Sequence, residues 1–123
     1  MVKIAIIEDD ATISQMYRMK FEADGFDVRL ASNGTIGVAL VESFRPDVIL
    51  LDIQMPEMDG AEALRRIRSH AWGKTIPVIV LTNLGEEEAP REMRSLGIQG
   101  YIVKANLTPH QVVAQVKSVI TKP

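Results

Sequence analysis

The chain has 123 residues, of which 46% are apolar and 24% charged, with a formal net charge of −2; this matches one globular domain, expected over residues 1–123, with no general pull toward nucleic acid or anionic lipid. The absence of cysteine excludes disulfides, thiolate metal sites and cysteine nucleophiles. No apolar run approaches the ~20 residues of a membrane span, and no signal-like apolar segment precedes the first acids, so the expected location is the cytoplasm.

Residues 2–7 (VKIAII) are apolar apart from Lys3 and rich in β-branched side chains, as in a central strand. They run into three acids, Glu8, Asp9 and Asp10. From 11 to 24, Ile13, Met16, Tyr17 and Phe21 fall at helical spacing, with Asp10 or Thr12 as cap and Gly25 as stop. Residues 26–31 (FDVRLA) alternate apolar and polar, the pattern of a half-exposed strand. Asn33-Gly34 reads as a turn, followed by a helical stripe of Ile36, Leu40 and Phe44 that Pro46 terminates. Residues 47–51 (DVILL) form a strand with a fully apolar end, and a single carboxylate, Asp52, follows it.

Met55-Pro56 stops that strand, and Asp59-Gly60 opens a third helix. This helix carries Leu64 and Ile67 inside, Arg65, Arg66 and Arg68 on its wet side, and closes at Trp72-Gly73. Residues 77–81 (PVIVL) form a fourth strand ending in Thr82. A polar loop, 83–88 (NLGEEE), precedes a short fourth helix running to Leu96-Gly97. Pro90 fits a helix only in its first turn, so the helix is expected to begin near Ala89 or to be distorted. Residues 99–103 (QGYIV) give a fifth strand ending in Lys104. Thr108-Pro109 caps a last amphipathic helix bearing Val112, Val113, Val116, Val119 and Ile120. Only 121–123 follow, which leaves no expected room for a second domain.

Five strands alternating with five helices imply an α/β fold: a five-stranded parallel sheet covered on both faces, with the doubly wound order 2-1-3-4-5. In a parallel sheet all carboxyl ends share one edge. Glu8, Asp9, Asp10, Asp52, Thr82 and Lys104 therefore collect there, around the switch point between the first and third strands. Each has a bland reading: Asp10 as a helix cap, Thr82 as a strand-end hydroxyl bonded to a loop, Lys104 as a solvated ammonium, Met55-Pro56 as a turn. Together they suit phosphoryl transfer. Clustered carboxylates repel unless a cation joins them, and an oxygen-only set suits Mg²⁺ or Mn²⁺. Asp52 would attack phosphorus while Thr82 and Lys104 hold the transferred group.

The motifs IIEDD (6–10), LLDIQMPEMDG (50–60), VIVLT (78–82) and GYIVK (100–104) resemble the response-regulator receiver domain, the phosphoacceptor module of two-component signalling, over essentially the whole chain. The resemblance implies a flavodoxin-like fold and a phosphorelay switch, a phosphoprotein rather than a turnover enzyme. It implies that a sensor histidine kinase or phosphotransfer protein donates a phosphoryl group to Asp52, with Mg²⁺ required. Asp9 is implied as direct metal ligand together with Asp52 and the backbone carbonyl of Gln54, and Glu8 as a companion acting through water. Thr82 is implied as the switch hydroxyl, Lys104 as the phosphate-pairing lysine and Tyr101 as the switch aromatic. A separate output protein would bind the face made by the fourth helix, fifth strand and fifth helix, with no direct role for nucleic acid or membrane.

The chain departs from the family pattern in three places. Lys104 is followed by Ala105 instead of proline, so the bond between them is expected to be trans. Asn83 stands where a small residue is usual, and Leu84 is apolar where an attacking water would be oriented, which implies slow self-dephosphorylation. Two other readings stay open at this point: a receiver-like interaction module with impaired phosphorylation, and a metal-dependent phosphatase. The second lacks a general acid two residues after the nucleophile, where Gln54 stands.

Overall fold

A computed structural model describes residues 1–120; positions 121–123 lie outside the described residues. The chain runs β1 (Lys3–Ile7), α1 (Ala11–Ala23), β2 (Asp27–Ala31), α2 (Gly34–Phe44), β3 (Val48–Leu51), α3 (Gly60–Arg68), β4 (Val78–Thr82), α4 (Arg91–Leu96), β5 (Gly100–Val103) and α5 (Pro109–Ile120). The five strands are parallel, in the order β2-β1-β3-β4-β5. This is the expected α/β architecture.

The apolar strand runs are explained by burial on both faces. Ile4, Ile6, Val48, Leu50, Ile79, Leu81 and Ile102 point to one side, against Tyr17 and Phe21 of α1 and Val112, Val113 and Val116 of α5. Ala5, Ile7, Ile49, Leu51, Val78 and Val80 point to the other, against Val41 of α2, Leu64 and Ile67 of α3 and Met93 of α4. Because alternate residues serve opposite layers, a slip of one residue in any central strand would exchange the two cores. The β1–β3 register pairs Ile7 with Leu51, and the Asp52 amide donates to the Ile7 carbonyl at 3.0 Å. That register sets Glu8 and Asp52 side by side.

Several local expectations are corrected. Asn33-Gly34 is no turn: Asn33 is the N-cap of α2, its Oδ1 accepting from the Ile36 amide at 2.8 Å, and Gly34 is the first helical residue. Ile36 is exposed, and Gly34, Gly37 and Val41 are the buried positions of that helix. A Cβ on Gly37 would stand 2.7 Å from Ile7 Cδ1, so α2 lies against β1 at glycine distance. In α1, Met16 is exposed and Ser14 is buried in its stead, its hydroxyl donating to the Glu8 carbonyl at 3.3 Å. Asp10 does cap α1, accepting from the Ile13 amide at 3.1 Å. Trp72-Gly73 belongs to a separate 3-10 turn, Ala71–Gly73.

Pro90 sits just outside α4, which has six residues and begins at Arg91; a 3-10 turn, Glu86–Glu88, precedes it. A residue without an amide proton is tolerated there because no helical bond is asked of it. The Thr108 hydroxyl accepts from the Gln111 amide at 3.2 Å while Gln111 Oε1 accepts from the Thr108 amide at 2.9 Å, a reciprocal capping box for α5. Among the described residues no peptide bond is cis, so Lys104–Ala105 is trans as expected. Arg68 is not on the wet side of α3: its guanidinium is half-buried and donates to four backbone carbonyls.

Candidate functional site

The carboxyl ends of β1, β3 and β5 bring their acids and lysine to one crevice of about 200 Å³. Glu8, Asp9, Asp52, Gln54 and Lys104 line it, together with Asp10, Ile13 and Asn83. Carboxylate oxygens of Glu8, Asp9 and Asp52 lie within 4.8 Å of one another. Glu8 and Asp52 are buried, and Asp9 is exposed at the rim. The donor set is oxygen only, partly open to water, which fits a hard divalent cation that keeps several waters. The same residues fit zinc or copper poorly, since no thiolate or imidazole is among them.

The lysine is inserted between the acids. Its ammonium contacts Glu8 Oε1 and lies 3.3 Å from Asp52 Oδ2. The other Glu8 oxygen accepts from the Asp10 amide at 3.0 Å, and Asp52 Oδ1 accepts from the Gln54 amide at 3.4 Å. Burial pushes the Glu8 carboxyl up from 4.5 to about 7, and the charge of Asp52 adds to it, while the bonds from Lys104 and the Asp10 amide hold it down. Burial acts to lower Lys104, but the Glu8 hydrogen bond and the charges of Asp52 and Glu8 outweigh it and raise it. Four acids, Glu8, Asp9, Asp10 and Asp52, against the one ammonium of Lys104 make the crevice lining rich in negative charge, so it is prepared to gain a further cation.

Thr82 ends β4 fully buried and is not among the residues lining the crevice; its hydroxyl is 3.5 Å from the Leu84 amide. Tyr101 of β5 is half-buried, its hydroxyl donating to the Leu84 carbonyl at 2.9 Å and the Gly85 carbonyl at 3.2 Å. Both residues are thereby tied to the loop between β4 and α4. Sequence reading assigned no place at the site to Ile13, because an apolar residue at helical spacing reads as core. Its position three residues after the capping Asp10, in the first turn of α1, is the signal that could have placed it at the mouth.

The loop that carries Asp52 is held by close backbone packing. The Gly60 amide donates to the Ile53 carbonyl at 2.8 Å, and a Cβ on Gly60 would meet the Asp52 carbonyl oxygen and stand 2.8 Å from Ile53 Cα. Glu57 adopts a left-handed backbone, φ 68°, and its carboxylate accepts from the Asn33 side-chain Nδ2 at 3.4 Å. One asparagine thus caps α2 and reaches the loop that carries Asp52.

The response regulator receiver domain profile matches residues 4–117. The chain is 37% identical over 102 residues to the regulatory protein AtoC of Escherichia coli (strain K12), covering 83% of this chain and 22% of that protein. It is 32% identical over 120 residues to the phosphate regulon transcriptional regulatory protein PhoB of Rhizobium meliloti (strain 1021), covering 98% of this chain and 52% of that protein. The chain therefore spans about half or less of the length of these relatives. Among solved structures, the chemotaxis protein CheY4 of Vibrio cholerae superposes with a TM-score of 0.89 at 28% identity, covering 97% of this chain and 98% of that one. With the acid crevice, the strand order and these likenesses in agreement, the chain belongs to the family of response regulator receiver domains.

Proposed function

We propose that the chain is a phosphoacceptor switch whose acceptor is Asp52. The observation that carries this reading is the single carboxylate at the end of β3, set against two further acids and reached by the Lys104 ammonium at 3.3 Å. An oxygen of Asp52 attacks phosphorus of a phosphohistidine on a kinase or phosphotransfer protein. The phosphorus–nitrogen bond breaks with its electron pair passing to the imidazole, and an acyl phosphate remains on Asp52. A bound Mg²⁺ or Mn²⁺ would offset charge on the phosphoryl oxygens, held by Asp9, Asp52 and the Gln54 backbone carbonyl, with Glu8 through water. Lys104 exchanges its carboxylate contacts for the new phosphoryl oxygens. The protein is its own substrate, and no turnover of a free substrate is involved.

The acyl phosphate brings a charge near −2 to the crevice, and this biases a two-state element. Thr82 moves toward the phosphoryl group, and the loop from Asn83 follows, since the Leu84 amide bonds to the Thr82 hydroxyl. Tyr101 is anchored to the carbonyls of that same loop, so its two hydrogen bonds are the ones at stake. The face made by α4, β5 and α5 then differs between the two states, and a separate output protein reads it. Fluorine NMR of fluorotyrosine-labelled protein tests this: the Tyr101 resonance should shift when beryllofluoride and Mg²⁺ bind, and Thr82→Ala should bind them without the shift. An unmoved Tyr101 signal with beryllofluoride in place would sink the switch.

Leu84 packs its half-buried side chain against the α2–α3–α4 layer, and no polar group at that position orients a water toward the acyl phosphate. The phosphoryl group should accordingly be long-lived. Leu84→Glu is expected to shorten its half-life by about tenfold, less than the ~100-fold or more that a fully positioned acid–base group supplies, because the new carboxylate only orients a water. A half-life equal to or longer than that of the unmodified chain would contradict this.

A further inference from the structure

α4 is a helix of six residues tied to the domain unequally at its two ends. At its amino end it has Pro90 in the cap position, with no side-chain capping bond and no amide proton to offer. The preceding loop, 83–90, is attached through the Leu84 amide to Thr82 and through the Leu84 and Gly85 carbonyls to Tyr101. All of these contacts lead to groups that the proposed switch moves. At its carboxyl end the last carbonyls of the helix would lack partners, and Arg68 supplies them. Its Nε donates to the Leu96 carbonyl at 3.0 Å and its Nη2 to the Gly97 carbonyl at 2.9 Å. The same guanidinium donates through Nη1 to Gly73 at 2.6 Å and Ile76 at 2.8 Å.

One planar cation therefore joins the end of α3, the 3-10 turn after it, the segment leading into β4 and the end of α4. It sits where the helix dipole favours positive charge, and a fixed fork of donors suits several carbonyls better than an ammonium would. Met93, fully buried beneath the helix, and the Arg65–Glu92 pair on its outer side add to the hold on the body of α4.

We propose that Arg68 is the positioning residue of the signalling face, fixing the carboxyl end of α4 so that the rearrangement driven from Asp52 is confined to residues 83–90 and the amino end of the helix. The proposal deepens the switch reading above and rests on it. α4 would swing about its Leu96–Gly97 end, and a partner protein would recognise the new position of Arg91, Glu92 and the loop before them.

Amide hydrogen exchange on the whole chain, with and without beryllofluoride and Mg²⁺, tests this in the unmodified protein, Arg68→Lys and Arg68→Met. In the unmodified protein, activation should change exchange in 83–91 by about tenfold and in 94–99 by less than about twofold. In resting Arg68→Met, 94–99 should exchange about tenfold faster, since several charge-assisted bonds are gone. On activation the change should spread into that segment, while phosphoryl uptake, in which Arg68 has no part, stays within about twofold. Arg68→Lys keeps the charge without the fork and should lie between the two. Unchanged protection of 94–99 in both variants overturns the proposal. So does an activation response in the unmodified protein as large at 94–99 as at 83–91, which also decides the matter should Arg68→Met fail to fold. If beryllofluoride does not bind at all, the switch reading fails separately, and the resting comparison alone decides whether Arg68 holds α4.

Discussion

Gly60→Ala is expected to lower stability by about 3 kcal/mol, the upper end of the range for overpacking, because the atoms a new methyl would meet are backbone and cannot turn aside. The added Cβ would run into the Asp52 carbonyl oxygen and stand 2.8 Å from Ile53 Cα. No left-handed conformation is involved at this glycine; only space is lacking. For a chain of this length that loss corresponds to a melting temperature about 10 °C lower. Relief of the clash would push the Asp52–Ile53 backbone out of line, so the folded fraction should also take up phosphoryl groups poorly. Gly73→Ala is the comparison, since its Cβ would meet the Ile67 carbonyl at the other end of α3. It should destabilise similarly but leave the crevice chemistry of the folded protein intact. Thermal unfolding of both variants, beside their phosphoryl uptake, checks this, and a Gly60→Ala protein melting within about 2 °C of the unmodified chain would contradict the packing argument.

Lys104→Met should have the next largest effect, and one that depends on pH. The ammonium is the positive group that lies against both Glu8 and Asp52, and removing one partner of a buried pair costs about 3 kcal/mol when the other must stay charged. Glu8 need not stay charged at every pH. Its carboxyl is raised in the folded chain from 4.5 to about 7, so the folded state holds the proton more tightly than the unfolded state does. The stability it contributes is fully present below about 4.5 and is lost as pH rises through about 7. Without Lys104 the two influences of the lysine that lower Glu8 disappear, and the window of loss extends to higher pH. The unfolding free energies of Lys104→Met and the unmodified chain should therefore differ less at pH 5, where the contact to Asp52 is the main one lost, than at pH 8, where the difference should reach about 3 kcal/mol. Mg²⁺ should restore more stability to the variant than to the unmodified chain, because a bound cation takes over the missing counter-charge. Parallel pH profiles for the two proteins would show that the lysine does not neutralise the crevice.

Much of this site was legible in the sequence because its parts stand at strand ends. Val48 to Leu51 could only be a doubly buried strand, so Asp52 had to emerge at its mouth, and the same reasoning placed Glu8, Thr82 and Lys104. Elsewhere the apolar stripe pointed to the wrong residues. In α2 it named Ile36, yet the buried positions are Gly34, packed against Met58, Gly37, packed against Ile7 of β1, and Val41, since the closest approaches demand the smallest side chains. Periodicity counts large apolar groups and passes over glycine. Arg68 was misplaced for a related reason: a charge at helical spacing reads as wet unless the carbonyls it serves are known, and those belong to residues 73, 76, 96 and 97. Asn33 was read as a turn because Asn-Gly is both a turn signal and a cap followed by a permissive first residue. Only the three-dimensional neighbour Glu57 shows its second task.

The central claim is that Asp52 accepts a phosphoryl group with a divalent cation beside it. Intact-mass measurement after incubation with acetyl phosphate tests it directly. One added phosphoryl group should appear with Mg²⁺, vanish when the metal is chelated beforehand, and be absent from Asp52→Asn. An unmodified chain that stays at its starting mass under the same conditions, or an Asp52→Asn protein that gains the group equally, would contradict the account.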